Sequence, residues 1–225
     1  MPPVSIAIDG PSGAGKSTLA RAAAKALGYL YVDTGAIYRT IGYHILSRGI
    51  DPNDAAAVTA ELPGLQVELS YGEDGLQHMV LNGRDVTKEI RLPEVSLCTS
   101  TVSAYPKVRS FLLETQRELA RTRDVIMDGR DIGTVVLPEA KVKVFLTAAP
   151  EARAERRMLE LEQRGTPEPM EKVLEEILQR DWNDTHRAEA PLRQAEDAVV
   201  LDTTELDFQA SEAALLGLIR ERIGE

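Results

Sequence analysis

The chain has 225 residues, 43% of them hydrophobic, enough for a sizeable core in one domain with inserts or in two small ones. Its formal net charge of −10 argues against general nucleic-acid or anionic-membrane binding, though not against local arginine clusters. A lone cysteine, Cys98, excludes an internal disulfide or a cysteine metal cluster and reads as a small, partly buried hydrophobe. The three histidines, His44, His78 and His186, are scattered and match no metal spacing.

The opening MPPVSIAIDG lacks a charged leader with a long apolar segment, and no apolar run reaches the roughly 18 residues of a membrane span. A soluble, reducing, cytoplasmic setting is expected. VSIAI (4–8) reads as a short buried strand leading into a glycine-rich loop. STLARAAAKALG follows as an alanine-rich helix with Gly28 as C-cap. YLYV (29–32), ending in Asp33, reads as a second strand, and GAIYRTIGYHILSRG (35–49) as a helix closed by Gly49. This alternation is the order of a parallel sheet with helical crossovers.

The pattern then changes. LQVELS (65–70), LQHMVL (76–81) and RDVTKEI (84–90) read as short strands, with turns at YGEDG and at Asn82-Gly83; the second is a strong hairpin signal. Residues 63–90 thus read as a small antiparallel meander inserted in an α/β chain. A long helical stretch, 93–122, breaks near Pro106. DVIM (124–127) and VKVFLT (142–147) resume the α/β rhythm. Helices near 150–163 and 168–188 are joined by RGTPEP, AVVL (198–201) is a last buried strand, and Asp207 begins a terminal helix.

Gly10, Pro11, Ser12, Gly13, Ala14, Gly15, Lys16, Ser17 and Thr18 match the G-x-x-x-x-G-K-[ST] phosphate loop, between a strand and a helix as that motif requires. Glycines allow close approach of an anion, successive N–H groups and the helix N-terminus point at phosphates, Lys16 adds charge, and the Ser17 hydroxyl can hold magnesium. A nucleoside triphosphate with Mg2+ is expected. The motif alone leaves open whether the phosphoryl group goes to water, protein or a small molecule.

The arginines suggest an acceptor. In VIMDGRDIGTVV (125–136) an apolar strand runs into Asp128, Gly129, Arg130 and Asp131, and ligands of open α/β sheets gather at such strand ends. Arg39, one turn into the second helix, and Arg109, after Pro106, could reach the same crevice. Arginine forks suit phosphate oxygens. Arg180, Asp184 and Arg187, spaced i, i+4, i+7, share one helix face, as a ligand set or as a surface ion-pair row. Arg153, Arg156 and Arg157 lie on a helix before the Gly/Pro connection. That helix is either a mobile charged lid or a solvated helix balanced by its glutamates.

IDGPSGAGKST, DTGAIYR, GRDIGTVV and the RD…D..R before APL resemble, in order and over nearly the whole chain, bacterial cytidylate kinase (CMP kinase) among the nucleoside monophosphate kinases. The resemblance implies a P-loop NTPase-type parallel sheet flanked by helices, with an inserted small antiparallel β-containing domain that binds the monophosphate and a short helical lid. Its divisions would be core 1–38, monophosphate-binding region 39–104 with the β insert near 63–90, core 105–150, lid 151–170 and core 171–225. It further implies that residues 10–18 bind ATP, that Arg39, Arg130 and Arg187 take the acceptor phosphate, and that Ser100 and Arg109 read the cytosine edge. Asp131 would approach the cytosine amino side or its neighbouring arginine, Arg180 and Asp184 the ribose, and Arg153 and Arg157 would belong to the lid. Lys16, Arg130, Arg187, Arg153 and Arg157 form the implied catalytic set.

Thr34 stands where serine is common in that family; both keep a hydroxyl, so Thr34 stays among the substrate-binding candidates. Trp182 is assigned no role. Asp128, in a Walker-B-like place, is expected either to hold magnesium through water, beside Ser17, or to be a structural carboxylate. The expected activity is ATP-dependent phosphorylation of CMP and dCMP by in-line transfer, without a general base because the acceptor phosphate is already an anion. Another monophosphate kinase, for UMP or AMP, is the nearest alternative; a nucleotide-gated binding module or a hydrolase is the alternative of another class. The expected partners are ATP, CMP and dCMP, with no nucleic-acid polymer and no membrane, bound by a monomer.

Overall fold

The computed structural model describes residues 2–72, 75–163 and 165–224. Glu73 and Asp74 of the expected YGEDG turn, and Arg164 of the RGTPEP connection, lie outside the described residues. The strand β1 (Ser5–Asp9) and helix α1 (Lys16–Leu27) flank the phosphate loop. With β2 (Leu30–Asp33), β6 (Val125–Gly129), β7 (Val142–Thr147) and β8 (Val199–Asp202), β1 forms a five-stranded sheet in the order β2-β6-β1-β7-β8. β1 pairs in parallel with both β6 and β7, and β7 with β8. The expected P-loop-type parallel sheet is thus present.

The central strands are apolar because both their faces are covered. Ile6, Ala7, Ile8, Val125, Ile126 and Met127 are fully buried. Ala20, Ala23 and Ala24 of α1 pack into the same core as Ile6 and Ile8, joined by Leu215 and Ile219 of the terminal helix α8 (Phe208–Ile223). The expected caps hold: Gly28 closes α1 in the left-handed conformation, and Asp207 begins α8 by accepting from the Ala210 amide. Gly10 is obligatory where β1 enters the loop. Its φ is 151°, and a Cβ there would stand 1.9 Å from the Leu146 carbonyl oxygen.

Two compact units emerge: Met1–Tyr31 with Ala120–Glu225, and Val32–Leu119. The second holds α2 (Thr34–Ser47), α3 (Ala55–Ala60), α4 (Pro93–Val102), α5 (Pro106–Thr122) and an antiparallel sheet of β3 (Val67–Tyr71), β4 (Gln77–Leu81) and β5 (Arg84–Asp85). Ile37, Ile41 and Ile45 of α2, Val95, Cys98 and Val102 of α4, and Val108 and Leu112 of α5 are buried. The break before Pro106 and the hairpin at Asn82 and Gly83, with φ of 50° and 80°, are as expected.

Three details differ from expectation. AVVL is not a buried strand: β8 lies at the edge of the sheet beside β7, its residues alternate between half-buried and exposed, and Val200 is 48% exposed. RDVTKEI is strand only over Arg84–Asp85, and Glu89–Arg91 is a 3₁₀ turn. Asp85 accepts from the Thr87 amide, and the Thr87 hydroxyl accepts from the Met79 amide, so side chains take over the ladder's partners and the strand stops. Helix α3 is not foreseen by periodicity because it is only six residues long; Asp54 caps it by accepting from Ala56 and Ala57. No helix among the described residues is long and apolar enough to cross a membrane.

Candidate functional site

In the sheet-bearing unit, the loop after β1 delivers Lys16 and Ser17 to the start of α1. Lys16 is 5% exposed, and its Nζ donates to the Pro11 carbonyl at 2.7 Å. Burial pulls its ammonium well below its usual range, and the Arg130 guanidinium adds to this, opposed by Asp128. The Ser17 hydroxyl donates to Asp128 Oδ2 and the Tyr31 hydroxyl to Asp128 Oδ1, each at 2.8 Å. Parallel pairing of β1 with β6 brings Asp128 beside the loop, Ile8 standing opposite Asp128.

Past the end of β6, Arg130 Nε donates to Asp184 Oδ2 at 2.6 Å. Asp184 lies near the end of α7 (Met170–His186) and is bound on the same face as Arg180 and Arg187. Burial would raise its carboxyl, but Arg130, Arg180 and Arg187 together carry it below the ordinary value. Arg187 donates twice to the Ala190 carbonyl and stands 3.7 Å from Asp131 Oδ1. The i, i+4, i+7 face is therefore a part-buried charge cluster joined to the end of β6, with Arg180 exposed at its rim, rather than a free-standing surface ion-pair row. Arg130 and Arg180 are close enough to depress the Lys16 ammonium, so an entering polyanion would relieve the repulsion among the three.

Arg153, on α6 (Pro150–Gln163), is 3% exposed. Its fork donates to the Ala148 and Ser12 carbonyls and to both oxygens of Asp181. It is a strut between α6, the phosphate loop and α7. Arg156 donates to the Thr203 carbonyl, while Arg157 is half-exposed and pairs with Glu160 one turn on. A cleft of about 460 Å³ opens beside the phosphate loop, lined among others by Pro11, Arg153, Asp181, Arg193, Gln194 and Thr204. Sequence reasoning misses Asp181, Arg193, Gln194 and Thr204, since no spacing rule links them.

In the other unit, Asp33 caps α2. Its Oδ1 accepts from the Ala36 amide at 2.9 Å and its Oδ2 from Arg39 Nη2 at 2.8 Å. Gln77 of β4 grips the backbone of Asp33, accepting from its amide and donating to its carbonyl. Arg39 Nε is buried without a protein partner among the described residues, a donor turned toward no acceptor. Thr34 is buried at the start of α2, and Ser100 is exposed on α4. Arg109 lies over the Tyr38 ring at 5.3 Å and donates to the Ser103 carbonyl.

Asp9 also escapes the sequence reading. It is 5% exposed, and its two oxygens accept from the Ile132 and Gly133 amides at 2.8 and 2.7 Å. Burial pushes its carboxyl up to about 6, against the two amides. Between the usual 3.8 and about 6 the folded chain holds a proton that the unfolded chain releases. The stabilising contribution of this group is therefore complete below the lower value and lost as pH rises through the upper one. Urea unfolding at pH 4 and pH 7.5 is expected to show wild type losing roughly 3 kcal/mol relative to Asp9→Asn over that interval, at 1.36 kcal/mol per pH unit. A stability gap independent of pH contradicts this.

No group of three or more histidine, cysteine or acidic side chains with metal-ligand geometry occurs among the described residues. A cation here would rest on Ser17, Asp128 and the oxygens of a bound phosphate, the sparse donor set that magnesium tolerates.

Comparison with known proteins adds chemistry to this geometry. Residues 6–221 match the family model described as cytidylate kinase. A cytidylate kinase from Caldicellulosiruptor bescii is 49% identical over 209 residues, covering 93% of this chain and 92% of that protein. A bifunctional pantoate ligase/cytidylate kinase from Synechococcus sp. (strain WH7803) is 49% identical over 98% of this chain, which spans 45% of that longer protein. The solved structure of a protein from Eubacterium ventriosum shares the fold, with a TM-score of 0.53 at 11% identity over 99% of both chains.

Proposed function

The chain belongs to the cytidylate kinase family, and from that premise we propose that it transfers the γ-phosphoryl group of ATP to the phosphate of CMP, and of dCMP. The observation that carries this reading is the basic cluster of part-buried Arg130 and Arg187 with exposed Arg180 around Asp184, in the same unit as a complete phosphate loop. A hydrolase acting on water needs only the loop. A second phosphate cradle suits an enzyme whose acceptor is itself a phosphate.

Residues 10–18 cradle the triphosphate through backbone amides and Lys16. The cleft lined by Arg153, Asp181 and Arg193 offers room for the rest of ATP. Arg130 and Arg187 bind the acceptor phosphate, and Arg39, with its unpartnered buried Nε, is proposed as a further ligand of that anion. Thr34 binds the substrate through its hydroxyl. Ser100 and Arg109 read the cytosine edge, Asp131 faces its amino side, and Arg180 and Asp184 face the ribose. Arg153 and Arg157 belong to the lid segment. Ser17, with Asp128 through water, would hold Mg2+, which when bound neutralises charge on the phosphate oxygens.

Transfer is in line, with no covalent intermediate, and catalysis consists of positioning and charge neutralisation. Lys16 and the arginines stabilise charge on the moving phosphoryl group. No side chain is required as a base, because the attacking oxygen belongs to an anion. We assign the active form as a monomer that binds small nucleotides and no nucleic-acid polymer.

Specificity follows from hydrogen-bond polarity. Cytosine presents an amino donor where uracil presents a carbonyl. A carboxylate on that side favours the first and repels the second. Asp131→Ala is expected to narrow the preference for CMP over UMP in kcat/KM by roughly tenfold to a hundredfold, the cost of one buried polar mismatch. A loss confined to ATP affinity contradicts the assignment. The reading as a whole is tested by offering CMP, dCMP, UMP and AMP as acceptors with ATP and magnesium.

A further inference from the structure

Asp9 is a buried carboxylate that none of the steps above uses. It ends β1, one residue before the phosphate loop begins at Gly10. Parallel pairing sets its Cα opposite Gly129 at the end of β6. From there both its oxygens reach the Ile132 and Gly133 amides, the first two of the π-helical turn Ile132–Val136. That turn directly follows Arg130 and Asp131. The Asp131 carbonyl in turn accepts from the Val135 and Val136 amides at 2.9 and 3.1 Å. The residue proposed to face the base is thereby fastened on both sides.

The grip is close-packed. A Cβ on Gly133 would stand 3.3 Å from Asp9 Oδ2 and 3.1 Å from Cδ of Lys143. It is also costly, since burial, and the nearby Asp131 carboxylate, oppose its charge. A neutral side chain would suffice to end a strand. A charged acceptor with two oxygens is needed to hold two adjacent amides in one orientation. Single π-turns cluster at functional sites and need such an anchor to persist.

We propose that Asp9 is a positioning residue that ties the strand launching the phosphate loop to the turn carrying Arg130 and Asp131, so that donor and acceptor ligands share one rigid frame. This rests on the proposed roles of Arg130 and Asp131 toward CMP. It does not require Asp9 to touch either nucleotide.

The test is steady-state kinetics with ATP affinity measured in parallel, for wild type, Asp9→Asn, Gly133→Ala and the double variant. Asparagine keeps the side chain's shape but points an amide donor at an amide donor. The expected result is a kcat/KM for CMP lowered roughly tenfold to a hundredfold, with a narrower CMP-over-UMP preference and ATP affinity within about threefold of wild type. Gly133→Ala disturbs the same grip from the other side, so the double variant is expected to be little worse than Asp9→Asn alone. Equal losses toward ATP and CMP, or additive effects of the two substitutions, overturn the proposal. If Asp9→Asn does not fold, Gly133→Ala alone must still show the CMP-selective loss, and its absence overturns the proposal equally. A wild type inactive on CMP would overturn the kinase reading itself. An active wild type with an unaffected Asp9→Asn overturns only the role of Asp9.

Discussion

Replacing Lys16 with alanine is expected to lower kcat for CMP phosphorylation by roughly a hundredfold to a thousandfold, the loss that follows removal of one preorganised charge stabiliser. The side chain is almost wholly buried and is held by the Pro11 carbonyl. Its charge is disfavoured by burial and by Arg130, so the free enzyme bears a cost that a bound triphosphate offsets. The ammonium is thus held ready for negative charge rather than for folding. The measurement is single-turnover transfer at saturating ATP and CMP, with thermal unfolding to confirm an intact core. A drop of less than tenfold contradicts the assignment.

Arg130→Ala is expected to act on the acceptor side. Its Nε bond to Asp184 is 2.6 Å long and both side chains are mostly buried, at 18% and 13% exposure. Loss of the charged contact between Arg130 and the acceptor phosphate is expected to cost about 2–5 kcal/mol of binding, or roughly thirtyfold to several thousandfold in kcat/KM for CMP. Arg180 and Arg187 still face Asp184, which moderates the stability cost. Arg130→Lys should rescue poorly, because a point charge cannot keep the guanidinium's bond to Asp184 while offering a fork to phosphate. ATP affinity should stay within a few-fold of wild type. If ATP affinity falls as far as kcat/KM for CMP, Arg130 belongs to the donor side and the division of labour is wrong.

Legibility in the sequence follows the range of the interactions. Strands β1 and β6 are readable because burial on both faces demands a continuous apolar run, and β7 because one buried face, Val142, Val144 and Leu146, gives an alternating pattern. The phosphate loop is readable because its physics is local. The face of Arg180, Asp184 and Arg187 is readable as a face, but its partner is not. Asp184 is partly covered by Arg130, 54 residues earlier in the chain, while Arg180 stays exposed. RDVTKEI has strand composition, yet the side chains of Asp85 and Thr87 end the ladder locally. Arg153 reads like its neighbours on a charged helix, and only Asp181, 28 residues on, marks it as buried. Asp9 is the extreme case. A strand-terminal aspartate carries no signal of its own, and its partners lie 123 and 124 residues away.

The central claim is that the acceptor is a cytidine monophosphate and the donor ATP. Initial rates of ADP formation with ATP, magnesium and each of CMP, dCMP, UMP, AMP or no acceptor test it most directly. The account predicts rapid turnover with CMP, activity with dCMP, and a kcat/KM for UMP lower by at least roughly tenfold. Faster turnover of UMP or AMP than of CMP, or ATP hydrolysis indifferent to any acceptor, would contradict it.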